Sequence, residues 1–273
     1  MDSKKKVDKN DLKKKIIIAV AIVACVVLLT SVGLIYSRGI VYFPASNNDG
    51  SIGATALAST FFANKVVPLR SNFLGVSLNQ VNPDAFRGAN IKHIIIPDSV
   101  VRIGFNAFYD CKTLEDIVIP ANIIIQHDAF NGCTSLVSVT IEEGATSIDT
   151  NAFAGCTALE NISIPNGLKG VFRSSFDGCE SLVYSKYDNG LYLGNSENPY
   201  VVLIKANSDD IESCNIHPDT KVIAADAFNG YNKLVEIRYD GLAEDWNKIV
   251  LGTNWSKDTG KFKIYCLDET LSK

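Results

Sequence analysis

Four cysteines recur at a near-constant interval: Cys111, Cys133, Cys156 and Cys179. Thiols at regular spacing suggest three kinds of chemistry: a soft-metal site, a disulfide framework or a reactive nucleophile. Three histidines, His93, His127 and His217, are the other groups able to ligate metal or move a proton near neutral pH. None of them stands at a meaningful spacing from a nucleophile or a second ligand. The chain has no Gly-rich phosphate loop, no dinucleotide fingerprint and no nucleophile elbow. The paired acids Glu142-Glu143 and Asp209-Asp210 fall in turns, where solvated charge is their ordinary role. No catalytic activity, metal or cofactor is expected.

What positions the cysteines is a repeat. Phe86, Phe108, Phe130, Phe153, Phe176 and Phe228 are separated by 22, 22, 23, 23 and 52 residues. Each follows a small residue: Ala85, Ala107, Ala129, Ala152, Ser175 and Ala227. Five residues before each Phe is Val81, Ile103, Ile125, Ile148, Val171 or Ile223. Three residues after each is Ala89, Cys111, Cys133, Cys156, Cys179 or Tyr231. A run such as Leu114-x-x-Ile117-x-Ile119 then completes the unit, and it returns as Leu136/Val139/Ile141 and Leu159/Ile162/Ile164. A unit this short cannot bury its own apolar face, whereas stacked units share one continuous core. The L-x-x-I-x-I run predicts a short strand whose fourth and sixth positions point inward and whose third and fifth point outward. Stacked strands form a parallel ladder, and each Phe meets the Phe of the next coil.

The cysteines then read as small apolar core residues with a weak S–H donor. Ala89 and Tyr231 fill the same slot in the end copies, so sulfur is not required there. Thiols stacked at one position form a row, not a tetrahedron, which disfavours a metal. Disulfides between neighbouring coils, at a Cα separation of about 5 Å, remain open, as does a Cys214–Cys266 bond.

The interval of 52 residues holds a modified pair of coils. Leu182-x-x-Ser185-x-Tyr187 keeps the strand spacing in degraded form, and residues 191–205 read as two strands around an Asn-Ser-Glu-Asn-Pro turn. Such a hairpin either leaves the wall as a contact feature or covers the core. From Asp240, a capped helix with Leu242, Trp246, Ile249 and Val250 on one face is expected to end at Gly252, with a strand over 262–267. Trp246 and Trp255 serve there as lids on the end of the core, or alternatively line a ligand site.

Charge and hydropathy are uneven. Residues 1–15 carry seven Lys against three Asp, a net +4, and the remainder carries 19 basic and 27 acidic residues, a net −8. An acidic body is a poor match for nucleic acid and suits basic or neutral partners. Residues 16–35 form an uncharged apolar run long enough to cross a bilayer as a helix. The lysines before it predict a cytoplasmic N-terminus and an exported C-terminal body. A cleaved signal peptide and lipidation at Cys25 are the competing readings.

Residues 103–111, IGFNAFYDC, and residues 148–156 resemble the BspA-type leucine-rich repeats of bacterial and protist surface proteins, over roughly residues 76–239. The resemblance implies a solenoid fold and a cell-surface setting. For function it implies adhesion or host-protein binding, a role attributed to some members.

The expected fold is therefore an α/β leucine-rich repeat solenoid, dominated by short parallel strands with few helices and preceded by one N-terminal transmembrane helix. Its parts are a basic tail (1–15), a signal-anchor (16–36), a linker and N-terminal cap (37–65), the solenoid (66–239, with the hairpin at 188–207) and a C-terminal cap (240–273). Within 37–65, residues 54–64 are expected to form a short helix over the first coil, and 66–80 an ill-fitting leading coil. The outward strand positions form the candidate surface for a protein or glycan ligand. These are Asp116, Val118, Ser138, Thr140, Asn161, Ser163, Tyr184 and Lys186, flanked by His93/Ile95 and Glu236/Arg238. A structural spacer with no specific ligand is the alternative.

Overall fold

Two parallel ladders, one on each side of a shared apolar interior, carry the first stack of coils. A computed structural model describes residues 36–37, 40–44, 52–56, 65–73 and 75–272. The front ladder is made of the L-x-x-I-x-I runs: Lys65–Pro68, Ile91–Ile95, Asp116–Ile119, Ser138–Ile141 and Asn161–Ser163, all parallel. The back ladder holds Ile52–Ala56, Val76–Val81, Arg102–Ile103, Ile124–Ile125, Ser147–Ile148 and Gly170–Val171, again parallel. Its inward members include the aliphatic residues five places before each Phe.

Ile117 and Ile119 point into the core while Asp116 and Val118 point out, as alternation requires. The rings of Phe86, Phe108, Phe130 and Phe153 stack at 5.0–5.2 Å between centroids, their planes within 8°. Between them the backbone forms a further set of bonds at the turn. Phe108 N–H donates to Ala129 C=O and Phe130 N–H to Ala152 C=O, each at 2.7 Å. The buried Ala leaves room for this close approach.

Each turn also needs left-handed backbone. Asp84, Asn106, Asp128, Asn151 and Asp226, two residues before the Phe, have φ between 52° and 59°. Asn and Asp tolerate this conformation best after Gly. Two residues after the Phe, Gly88, Gly132, Gly155, Gly178 and Gly230 are left-handed too. In the fifth coil Ser174 takes the first position, and a short 3-10 helix, Arg173–Phe176, replaces the turn. The Phe153–Phe176 distance loosens there to 6.1 Å.

The hairpin divides the solenoid. Gly190–Leu193 and Val202–Ala206 pair antiparallel around the predicted turn. They are largely buried, so the hairpin is part of the wall. Val202–Ala206 begins a second back ladder with Val222–Ile223 and Val250–Leu251. A second front ladder follows: Ser213–Ile216, Glu236–Tyr239 and Lys263–Tyr265, closed by the antiparallel Thr270–Ser272. One isolated bridge, Phe172 to Ala225, joins the two back ladders. On the front, hairpin side chains take the place of a strand: Asn189 Nδ2 donates to Ser213 C=O and Tyr192 hydroxyl to Asn215 C=O.

Several expectations are corrected. Ser185–Tyr187 does not continue the front ladder; it turns back and pairs antiparallel with Gly190–Leu193. Ala54–Ala56, expected in a helix, lie in the back ladder, because Ile52–Ala56 finds a ready edge in Val76–Val81. The helix after Asp240 is a single turn, Ala243–Trp246, with Leu242 as N-cap and no side-chain cap. Trp246 and Ile249 are buried, but Leu242 and Val250 are exposed, since Val250 has joined a strand. Gly252 does not end that helix; it lies against the preceding coil, where a Cβ would stand 2.1 Å from Ala225 N. Residues 240–265 therefore form one more coil. Trp246 and Trp255 sit 6.3 Å apart at its end, with Trp255 edge-on to Phe262 and Phe228.

The expected anchor (16–36) lies outside the described residues except for Tyr36, which forms a two-residue strand paired antiparallel with Ile40–Pro44. The basic tail, Cys25 and residues 57–64 also lie outside them. Among the described residues no helix is long and apolar enough to cross a membrane.

Candidate functional site

The described cysteines are free thiols, and all but Cys266 are buried. Each repeated thiol donates to the carbonyl oxygen of the Phe one coil back. Cys111 donates to Phe86 (3.0 Å), Cys133 to Phe108 (3.1 Å), Cys156 to Phe130 (3.2 Å) and Cys179 to Phe153 (3.1 Å). Burial pushes the Cys179 and Cys214 thiols up to about 12 and raises Cys133 as well. A thiol held protonated at neutral pH is a poor nucleophile. Among the described residues no group of three His, Cys, Asp or Glu side chains is placed to hold a metal.

The histidines have separate local partners. His93 Nδ1 lies 2.9 Å from Asp116 Oδ2. His127 stacks on Phe105 at 5.3 Å. His217 stacks on Tyr200 at 3.9 Å, and its Nδ1 accepts the Asp219 N–H. Burial lowers the His217 pKa against the opposing pull of Asp219 and Asp240.

The front ladder brings most of the predicted outward residues into register. One row runs Val66, His93, Asp116, Ser138, Asn161. A second holds Val118, Thr140 and Ser163, with Pro68 opposite Ile95 at the other end. Three aliphatic side chains stand out of this face, Val66 (57% exposed), Ile95 (56%) and Val118 (53%). They line a depression of about 390 Å³ together with His93, Asp98, Asp116 and Glu142. Val66 was outside the sequence reading because residues 66–80 fit the repeat poorly. Glu142, expected as solvated charge in a turn, borders the same hollow, as does Asp98, which no sequence pattern singles out.

Tyr184 and Lys186 are not part of this surface. The Tyr184 ring packs on the core, with the Lys205 ammonium 5.9 Å from its centroid. Burial raises its hydroxyl pKa, with Cys179 and Asp177 adding to the effect. Lys186 lies in the antiparallel turn-back opposite Leu191. The outward row resumes on the second front ladder, where Glu236, Arg238, Tyr265 and Leu267 line a second hollow of about 430 Å³. Arg238 Nε there is hydrogen-bonded to Glu236 Oε1.

The model of the BspA type leucine rich repeat region matches residues 55–196 in six copies. Among solved structures, the chain is similar to a leucine rich repeat protein of T. pallidum, TpLRR. The two share 21% identity over 80% of this chain and 85% of that one, with a TM-score of 0.52. It is also similar to a leucine rich cell surface protein of Faecalibacterium prausnitzii A2-165 (18% identity, 81% and 73% covered, TM-score 0.39). A leucine-rich repeat protein of Bacteroides ovatus is a third relative (22% identity, 80% and 67% covered, TM-score 0.41). No curated protein matches the chain. Six tandem matches across half the sequence, together with the stacked ladders they encode, place the chain in the BspA-type leucine-rich repeat family.

Proposed function

We propose that this chain is a non-enzymatic binding protein displayed at the cell surface, taking a protein or glycan ligand on its front ladder. The observation that supports this reading is the exposure of Val66, Ile95 and Val118 on three neighbouring strands of one parallel sheet, around a shared hollow. Clustered aliphatic side chains facing water on adjacent strands mark interaction surfaces more often than bare solvent-facing strands do. The adhesion and host-protein binding attributed to some family members points the same way. Membrane tethering through residues 16–36, with the basic tail inside, completes the proposal. Nucleic acid is not the partner, because the body is acidic.

The test is ligand capture by the full chain and by an Ile95→Glu/Val118→Glu variant of equal thermal stability. Loss of every captured ligand with the variant is expected. Equal capture by both would overturn the front-ladder assignment.

A further inference from the structure

The exposed aliphatic residues form the proposed docking face, and the groups around them decide what fits it. Three carboxylates border the hollow: Asp98, Asp116 and Glu142. The single basic group lining it is His93, which is already in contact with Asp116. No Lys or Arg lines it among the described residues. The nearby Lys92 directs its ammonium to Glu115, 3.1 Å away. The hollow therefore combines an aliphatic floor with an excess of negative charge at its edge.

We infer that this hollow takes a cationic, extended protein segment in which an aliphatic side chain alternates with Lys or Arg. This rests on the front ladder being the binding face and goes on to name its ligand. The physical match has two parts. Aliphatic side chains of the segment cover Val66, Ile95 and Val118 and remove them from water. The flanking ammonium or guanidinium groups meet Asp98 and Glu142 at the rim, where complementary charge steers encounter and sets orientation. Spacing supports an extended ligand. Outward residues two apart on a strand, such as His93 and Ile95, repeat at about 6.8 Å, the distance between alternate side chains of an extended peptide. A long cationic side chain also has an aliphatic stem that lies on apolar surface while its head stays at the acidic edge.

The experiment titrates three fluorescein-labelled nine-residue peptides against the full chain: alternating Lys-Val, alternating Glu-Val and alternating Lys-Ser. The Lys-Val peptide is expected to bind at least tenfold more tightly than either of the others. Its affinity should fall about tenfold in Asp98→Asn/Glu142→Gln and about tenfold in Val118→Ser. It should stay unchanged in Glu197→Gln/Asp258→Asn, which removes two exposed charges elsewhere. Raising the salt from 50 to 500 mM should weaken it further. Equal or tighter binding of the Glu-Val peptide, lost on Ile95→Glu/Val118→Glu, would overturn the cationic preference while leaving the front ladder as the binding face. Binding of the Lys-Val peptide that ignores both front-ladder variants would overturn the site itself. Concentration-dependent self-association abolished by Val118→Glu would instead assign the face to a second copy of the chain and overturn the inference.

Discussion

The Sγ of Cys133 lies 3.1 Å from the carbonyl oxygen of Phe108, one coil earlier in the chain, and donates its hydrogen there. The same bond recurs at Cys111, Cys156 and Cys179, so each thiol ties the end of one turn to the Phe of the turn before. In the native chain at pH 8, a thiol reagent should leave all four, and Cys214, unlabelled, and denaturant should expose them together. Rapid native labelling of Cys133 would contradict its burial.

The same burial sets an alkaline limit. The folded-state values of Cys179 and Cys214 are raised from an ordinary 9.0 to about 12. Their contribution to stability is therefore full below pH 9 and lost as pH rises from there toward 12, because the unfolded chain releases its protons first. Thermal midpoints should decline across that window. Replacing both thiols by Ala should flatten the decline.

On the acid side the sign reverses, through His217. Its folded-state pKa is lowered, so between that value and about 6.5 the unfolded state binds the extra proton. Stability should fall as pH drops through this window and level off below it. Protonation also removes the lone pair that accepts the Asp219 N–H. A His217→Gln variant should show a smaller difference in midpoint between pH 7.5 and pH 5. An identical difference would rule the histidine out as the source.

Phe130 is fully buried between two parallel rings, at 5.0 Å and 5.2 Å. Phe130→Ala should cost about 3–5 kcal/mol of unfolding free energy, read from denaturant titration, and Phe130→Leu distinctly less.

Backbone geometry gives a sharper contrast at Asn151, whose φ is 56°. Asn151→Val should cost about 1–2 kcal/mol, whereas Asn151→Gly should be nearly neutral. At Gly252, Ala should destabilise by about 1–3 kcal/mol, because its Cβ meets the backbone of Ala225 in the preceding coil.

Much of this was legible in the sequence because a stacked coil repeats one local solution. Phe, Ala, Cys and the L-x-x-I-x-I run each occupy one environment, so their recurrence disclosed that environment directly. The left-handed Asn and Asp residues were equally periodic, yet they passed unnoticed because their role lies in backbone torsion, not in hydropathy. Tyr184 and Lys186 were misplaced because Leu182-x-x-Ser185-x-Tyr187 keeps the strand spacing. Nothing in that spacing reveals that the following Asp188, with φ of 50°, reverses the chain. The second half was harder for the same reason. Trp246 and Ile249 fit a helical face, but the pairing of Val250 with Val222 is a tertiary choice. The acidic border of the front hollow is hidden in the sequence because Asp98 and Glu142 come from different coils, and only stacking brings them to one hollow.

Because the turn around each Phe bonds to the coils on either side, the length of the first stack is adjustable in whole units. An in-frame duplication of one 22- or 23-residue segment between Ile103 and Ile148 would leave the hairpin junction untouched. It would lengthen the rod by about 4.8 Å and add one outward pair of side chains to the front row. Reach and surface chemistry of the first stack can thus change in modular steps on one unchanged scaffold.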